Sequence, residues 1–285
     1  RSQFIDVGGA RAHIRDYGRD RDKTDTIPVV LIHGSLGSLH MWEGWARELG
    51  PRVRLITVDL PGHAFTGMPP GGAGSPQLGL HGMARALGAL LQALDTPPPD
   101  LLVGHSAGAA VAVRMALDGH ADPQRIVGLN AALLPLGGLA GQWFSPAAKL
   151  MAALPLVPQL FAWRARDPTV LARLLEGTGS QLDATGQALY QRLVSSPAHA
   201  RGALAMMANW DLPRLAADLP RLAVRLDLVV GERDHTVPPA HAPRILEALA
   251  PKARGRLALL PDLGHLAHEE DPVSVAALIL PDPDA

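Results

Sequence analysis

Three side chains in this 285-residue chain have the types and the order of an acyl-transfer centre: Ser106, Asp234 and His265. A serine hydroxyl is a weak nucleophile at neutral pH, so a histidine must take its proton and a carboxylate must orient that histidine. Ser106 lies in Leu101-Leu102-Val103-Gly104-His105-Ser106-Ala107-Gly108-Ala109-Ala110, an apolar strand running straight into an alanine-rich helix. This small-x-Ser-x-small pattern predicts a strained strand-to-helix turn with the hydroxyl at its corner, rather than a surface serine in a loop. Gly104 and Gly108 are read as small because strand and helix nearly touch, so that a Cβ at either would collide. A helix starting at Ala107 aims its free N–H groups at any anion formed beside Ser106.

Asp234 closes Gly231-Glu232-Arg233-Asp234, directly after the apolar run Arg225 to Val230. Aspartate is common in turns after strands, but no other carboxylate follows a strand end so directly before the final histidine. Asp227 lies inside its strand, and Asn130 occupies the alternative acid position after the sixth strand. For the base, His265 competes with His268. Gly264 before His265 is read as giving the backbone freedom to aim that ring, whereas His268, with Glu269 and Glu270, falls near the next helix start. The spacing of those three matches no metal motif, so no metal site and no cofactor are expected. The remaining requirement is an oxyanion hole, expected from the backbone N–H of Ala107 and that of Ser35 in His33-Gly34-Ser35-Leu36-Gly37-Ser38. Each such donor stabilises the transition state by about 3 kcal/mol when water is excluded.

The elements that must position these groups follow from the pattern. Gln3–Val7 and Arg11–Tyr17, joined by Gly8-Gly9, read as an edge hairpin. Short apolar strands then alternate with helical stretches, which predicts an α/β fold: a mostly parallel eight-stranded sheet covered by helices on both faces. From Ala131 to about Leu212 the pattern is helical with no strand. The expected division is therefore a core of residues 1–130 and 213–285, with 131–212 as a helical cap over the catalytic edge. The closing helix is expected at Val273–Leu280.

Six of the eleven aromatic residues fall in that cap stretch. With its methionines they suggest a large, flat, apolar ligand, although most of them must also pack the cap. Leu36, His105, Trp143, Phe144, Phe161, Trp163, Met206, Met207 and Trp210 are the expected lining. Arg164, Arg166 and Arg173 read as a solvated face, with ligand carboxylates as the alternative.

Hydrophobic residues make up 47% of the chain, charged ones 19%, and the net charge is −1. That supports a sizeable core and gives no electrostatic case for nucleic acid or an anionic bilayer. Cysteine is absent, which removes disulfides, thiolate metal sites and thiol catalysis. No apolar run approaches the length of a spanning helix and no signal-peptide pattern opens the chain, so a cytoplasmic protein with at most peripheral membrane contact is expected.

Together His33-Gly34, Asp59-Leu60-Pro61-Gly62-His63, Gly104-His105-Ser106-Ala107-Gly108, Gly231-Glu232-Arg233-Asp234 and Gly264-His265 resemble the α/β hydrolase superfamily along nearly the whole chain. Ala64 departs from the glycine usual after Pro-Gly-His. Within the cap stretch, Leu129 to Leu136, Phe144-Ser145-Pro146, Pro158 to Arg164, Glu176 to Ser180 and Met206 to Leu212 resemble one branch. That branch is the magnesium-chelatase accessory proteins of bacteriochlorophyll biosynthesis. The resemblance implies a tetrapyrrole ligand, magnesium chelatase subunits as partners and a bacterial location near the photosynthetic membrane. Three readings follow: an esterase-like serine hydrolase, a tetrapyrrole-binding accessory protein, and a C–C bond hydrolase sharing the same serine.

Overall fold

Alternating burial in the central strands decides the architecture. In β3 (Pro28–Ile32) Val29 and Leu31 enter one hydrophobic cluster while Val30 and Ile32 enter another. Neither face of such a strand tolerates water, so layers must cover both. On one face lie α2 (Leu80–Ala93) and α3 (Ala107–Leu117), with Met83, Leu87 and Val111 packed on the sheet. The other face is covered by Trp42, by Trp45 and Leu49 of α1 (Glu43–Leu49), and by Val275 and Ala276 near the C-terminus.

The structure is a computed structural model that describes residues 2–18, 28–94, 97–137, 154 and 156–279. Its eight-stranded sheet has the order β1-β2-β4-β3-β5-β6-β7-β8. β1 (Ser2–Val7) and β2 (Ala10–Tyr17) pair antiparallel through Gly8 and Gly9, both at positive φ as a two-residue hairpin turn demands. β2 is antiparallel to β4 (Arg54–Val58); every later pairing is parallel, through β5 (Leu101–His105), β6 (Arg125–Leu129), β7 (Arg225–Gly231) and β8 (Arg254–Leu260). Parallel strands put their C-terminal ends on one edge, where ligands meet open α/β sheets. His33, Ser106, Asn130, Asp234 and His265 all follow strand ends at that edge.

Between β6 and β7 the regular elements among the described residues are helical, the α-helices being α4 (Leu156–Arg164), α5 (Pro168–Glu176), α6 (Ala184–Val194), α7 (Pro197–Ala208) and α8 (Leu212–Asp218). Four of these starts are fixed locally. Asp167, Asp183, Ser196 and Asp211 each accept from a first-turn N–H of the helix they precede, a cap worth about 1 kcal/mol apiece.

After β7 come α9 (His241–Ala248), then the single turn α10 (Ala267–Glu270) and α11 (Pro272–Ala277). The last helix starts one residue earlier than the sequence suggests, because Asp271 caps it and Pro272 fills its first position, and it ends at Ala277 rather than Leu280.

Candidate active site

Ser106 occupies a conformation that L-residues avoid, φ 52° and ψ −116°. Backbone hydrogen bonds over-determine it. Its N–H donates to the Leu129 carbonyl (2.9 Å), and its own carbonyl accepts from Ala109 N–H (3.1 Å) and Ala132 N–H (3.2 Å). Strain of this kind persists only where surroundings impose it, and it clusters at functional sites. A Cβ on Gly104 would run into the backbone of Gly108 and Ala109, as the tight turn predicts. Gly108 is small for a different reason: its Cβ would strike the carbonyls of Ile32 and His33, at the end of β3. The second glycine thus lets the helix pass the neighbouring strand.

Asp234 and His265 meet. His265 Nδ1 lies 2.8 Å from Asp234 Oδ2, which also accepts from Asn130 Nδ2 at 2.8 Å. Asp234 Oδ1 takes the N–H groups of Thr236 (2.7 Å) and Val237 (2.8 Å). Burial pushes the Asp234 carboxyl up, but the His265 ring, the Val237 N–H and the Asn130 amide outweigh it and hold the group below the ordinary carboxylate range. With Nδ1 committed to Asp234, Nε2 is the nitrogen left to face a substrate. His268, the competing histidine, stacks instead between Trp42 and His105. Its neighbours diverge: Tyr190 OH donates to Glu269 Oε1 (2.7 Å), and Gly264 N–H donates to Glu270 Oε2 (2.8 Å). Among the described residues no group of three such side chains could hold a metal ion.

Gly264 earns its place by close approach. A Cβ there would collide with Gly179 and Ser180, which belong to the turn between α5 and α6. That turn braces both loops. The Thr178 carbonyl accepts from His235 N–H (3.3 Å) and His265 N–H (3.1 Å), and Ser180 Oγ accepts from Leu266 N–H (2.8 Å).

The loop after β3 lies against Ser106, since a Cβ on Gly34 would sit 3.2 Å from the Ser106 Cβ. His33 Nε2 accepts Leu60 N–H (2.9 Å), so the ring proton is on Nδ1, which donates to the Gly34 carbonyl (2.6 Å). Burial, reinforced by His63, holds His33 neutral, far below the usual histidine range. Among the described residues the N–H groups of Ser35, Leu36 and Ala107 find no acceptor, leaving donors on two sides of Ser106.

The expected ligand lining fares unevenly. Leu36, Phe161 and Met207 are partly exposed. His105 is buried, with Nε2 donating to the His265 carbonyl (2.9 Å), and burial together with the His265 charge pushes it down to about 3. It therefore supports the histidine loop rather than facing a ligand. Met206 and Trp210 are buried in the hydrophobic cluster on the α2–α3 face, so they pack the core. Trp163 is 60% exposed, on the outer surface of α4. Trp143 and Phe144 lie outside the described residues. Arg164, Arg166 and Arg173 are exposed, as a solvated face requires. Sequence reading missed Thr178, Ser180 and His199, and gave Asn130 no part; only the small-residue run Gly177-Thr178-Gly179-Ser180 hinted at a close approach.

Residues 29–278 match the alpha/beta hydrolase family. The chain is 36% identical over 261 residues to the "Magnesium-chelatase 30 kDa subunit" of Rhodobacter capsulatus, covering 92% of this chain and 88% of that protein. An alpha/beta hydrolase fold protein from Burkholderia ambifaria superposes with a TM-score of 0.76 at 21% identity, over 98% of this chain and 99% of that one. A thermophilic esterase from Thermogutta terrifontis does so with 0.71 at 22% identity, over 97% and 96%. At such identities these two structures speak to fold alone.

Proposed function

The chain belongs to the alpha/beta hydrolase family, and from that premise we propose that it is a serine hydrolase acting on an ester. Ser106 Oγ adds to the ester carbonyl carbon as its proton passes to His265 Nε2. The oxyanion takes the N–H groups of Ala107 and Ser35. His265 then returns the proton to the departing alkoxide, and water repeats the sequence on the acyl-enzyme to release the acid and free Ser106. Asp234 keeps the imidazole proton on Nδ1 and stabilises the imidazolium. The observation carrying this reading is the 2.8 Å contact of His265 Nδ1 with Asp234 Oδ2, at the sheet edge where a serine is held at φ 52°.

Residues 131–212 act as the cap in this proposal, with Leu36, Phe161 and Met207 as the lining that retains access to a ligand. The 36% identity to a magnesium-chelatase subunit favours a second reading. In it the protein works alongside magnesium chelatase, and its ligand is a tetrapyrrole, with binding rather than hydrolysis as its role. Among the described residues no helix is long and apolar enough to cross a membrane.

One paired assay separates the two. Wild type and Ser106→Ala are incubated with p-nitrophenyl acetate and butyrate, protoporphyrin, and magnesium protoporphyrin monomethyl ester, recording product and bound pigment. Ester turnover falling at least about a thousandfold in the variant, with its melting temperature kept, supports the hydrolase. Equal pigment binding by both proteins with no product supports the accessory role.

A further inference from the structure

Three consecutive carbonyls of the loop after β3 are each held by a different histidine. His33 Nδ1 donates to Gly34 (2.6 Å), His63 Nε2 donates to Ser35 (2.7 Å), and His199 Nε2 lies 3.2 Å from the Leu36 carbonyl. His33 and His63 come from the loops after β3 and β4, in the body of the sheet. His199 comes from the first turn of α7, in the helical stretch between β6 and β7.

The proton on His199 is fixed by its partners. Nδ1 accepts the Ala64 N–H at 3.1 Å, so Nε2 carries the hydrogen and donates to Leu36. Burial, reinforced by the charge of His63, pushes the ring down to about 3, which keeps it in this one-donor, one-acceptor form. The contact does not stand alone. One helical turn on, Gly202 touches Gly62, and a Cβ on Gly202 would strike the Gly62 carbonyl. His199 also packs edge-on against His63, with ring centroids 5.4 Å apart. Helix α7 is thus docked on the loop after β4 and on the loop after β3, which lies against Ser106.

A trans peptide points its N–H opposite to its carbonyl. Fixing the Gly34 and Ser35 carbonyls therefore aims the unpartnered N–H groups of Ser35 and Leu36. Fixing the Leu36 carbonyl aims the Gly37 N–H, which closes the turn onto the Gly34 carbonyl at 3.1 Å. Releasing the third carbonyl loosens the turn on which the other two depend.

We propose that His199 is a positioning residue: from the helical stretch it locks the Gly34–Gly37 turn so that the Ser35 N–H stays aimed at the oxyanion. The inference rests on the hydrolase reading above. It means that any displacement of α7 disarms the oxyanion hole while leaving Ser106, His265 and Asp234 in place.

The test compares His199→Ala, His199→Gln and His199→Asn with wild type. Each is assayed for kcat and KM on p-nitrophenyl butyrate, for inhibition by phenylboronic acid (an oxyanion mimic), and for melting temperature. A glutamine amide reaches the position of Nε2 and keeps the donor to Leu36. An asparagine amide reaches only Nδ1 and keeps the acceptor for Ala64. Since a 1 Å misplacement of catalytic geometry costs up to about a hundredfold, His199→Ala is expected to lower kcat by about tenfold or more. Its KM should hold within about twofold, and boronate affinity should weaken in parallel with kcat/KM. His199→Gln should recover most of kcat and His199→Asn should not. Because Gln and Asn variants that melt alike still differ in kcat under the proposal, a general loss of folding cannot imitate it. Active wild type with Gln and Asn variants equal to each other, or with boronate affinity unmoved, overturns the inference and leaves the hydrolase standing. Wild type with neither turnover nor boronate binding overturns both.

Discussion

The nucleophile turn and the helical stretch 156–208 reach the same centre by opposite means. Around Ser106 the constraints come from backbone in the sheet and its nucleophile turn: Gly104 against Ala109, Gly108 against the end of β3, and a serine main chain hydrogen-bonded to Leu129 and Ala132. The helices reach in through side-chain and turn contacts to distant main chain. Thr178 and Ser180 hold the His265 loop, and His199 holds the loop after β3. A different helix of the stretch, α4, carries Leu156, Leu160 and Trp163 exposed to solvent. The α5–α6 turn and α7 brace the site, and the named α4 side chains do not. The helical stretch thus holds the loops that carry Ser35 and His265, through contacts that no single segment of the sequence contains.

The sharpest way to break this comparison is at Gly179, which combines φ +77° with contact against the Arg233 carbonyl. Gly179→Ala is expected to cost about 3 kcal/mol, since both strain and a backbone clash must be relieved. Urea unfolding measures it, and an unchanged midpoint would mean that the turn is not seated against the acid loop. A smaller effect is expected at Asn130, whose φ of 46° glycine also accepts. Asn130→Gly then reads the loss of the amide bond to Asp234, about 1–2 kcal/mol. The sign of its pH dependence follows from Asp234. A carboxyl with a depressed folded pKa contributes stability above its unfolded value, about 3.9, and loses it as pH falls through the folded value. The deficit of Asn130→Gly should therefore be full at neutral pH and vanish in strong acid.

Legibility followed the same division. The turn at Ser106 is legible because its residue pattern, with the Gly104 clash against Gly108 and Ala109, sits within ten contiguous residues, although the causes at Gly108 and Leu129 do not, and the strand alternation puts Asp234 and His265 at one edge. The braces could not be read, because the His199 to Leu36 contact spans 163 positions and its acceptor is a carbonyl that every residue possesses. Composition misled at Met206 and Trp210. Aromatic and thioether side chains suit a ligand pocket and a core equally, and here the core claims both. At Gly264 the residue was read correctly for the wrong reason: the space it leaves for Gly179 matters, not its freedom of φ.

Two finer tests address the join between helices and sheet. Burial, with the charges of Asp183 and Glu270 and against the Tyr190 hydroxyl, raises Glu269 to about 8. A carboxyl whose folded pKa is raised loses stability as pH rises from its unfolded value, about 4.3, to the folded one. Glu269→Gln keeps an acceptor for Tyr190, so its stability relative to wild type should climb between about pH 4.3 and pH 8 and then level off. Parallel melting curves across that window would show the Glu269 carboxyl to be solvated rather than buried. The smallest effect is expected outside: Trp163→Ala should move stability by less than about 0.5 kcal/mol, as exposed positions do, and leave ester turnover unchanged.

The proposed hydrolase has Ser106 as a nucleophile activated by His265 and Asp234. Treating wild type, His265→Ala and Asp234→Asn with paraoxon and locating the adduct by peptide mass tests it most directly. One diethylphosphoryl group is expected, on Ser106, formed rapidly in wild type and at least about a hundredfold more slowly in both variants. An adduct elsewhere, no adduct at all, or equal rates in the three proteins would contradict it.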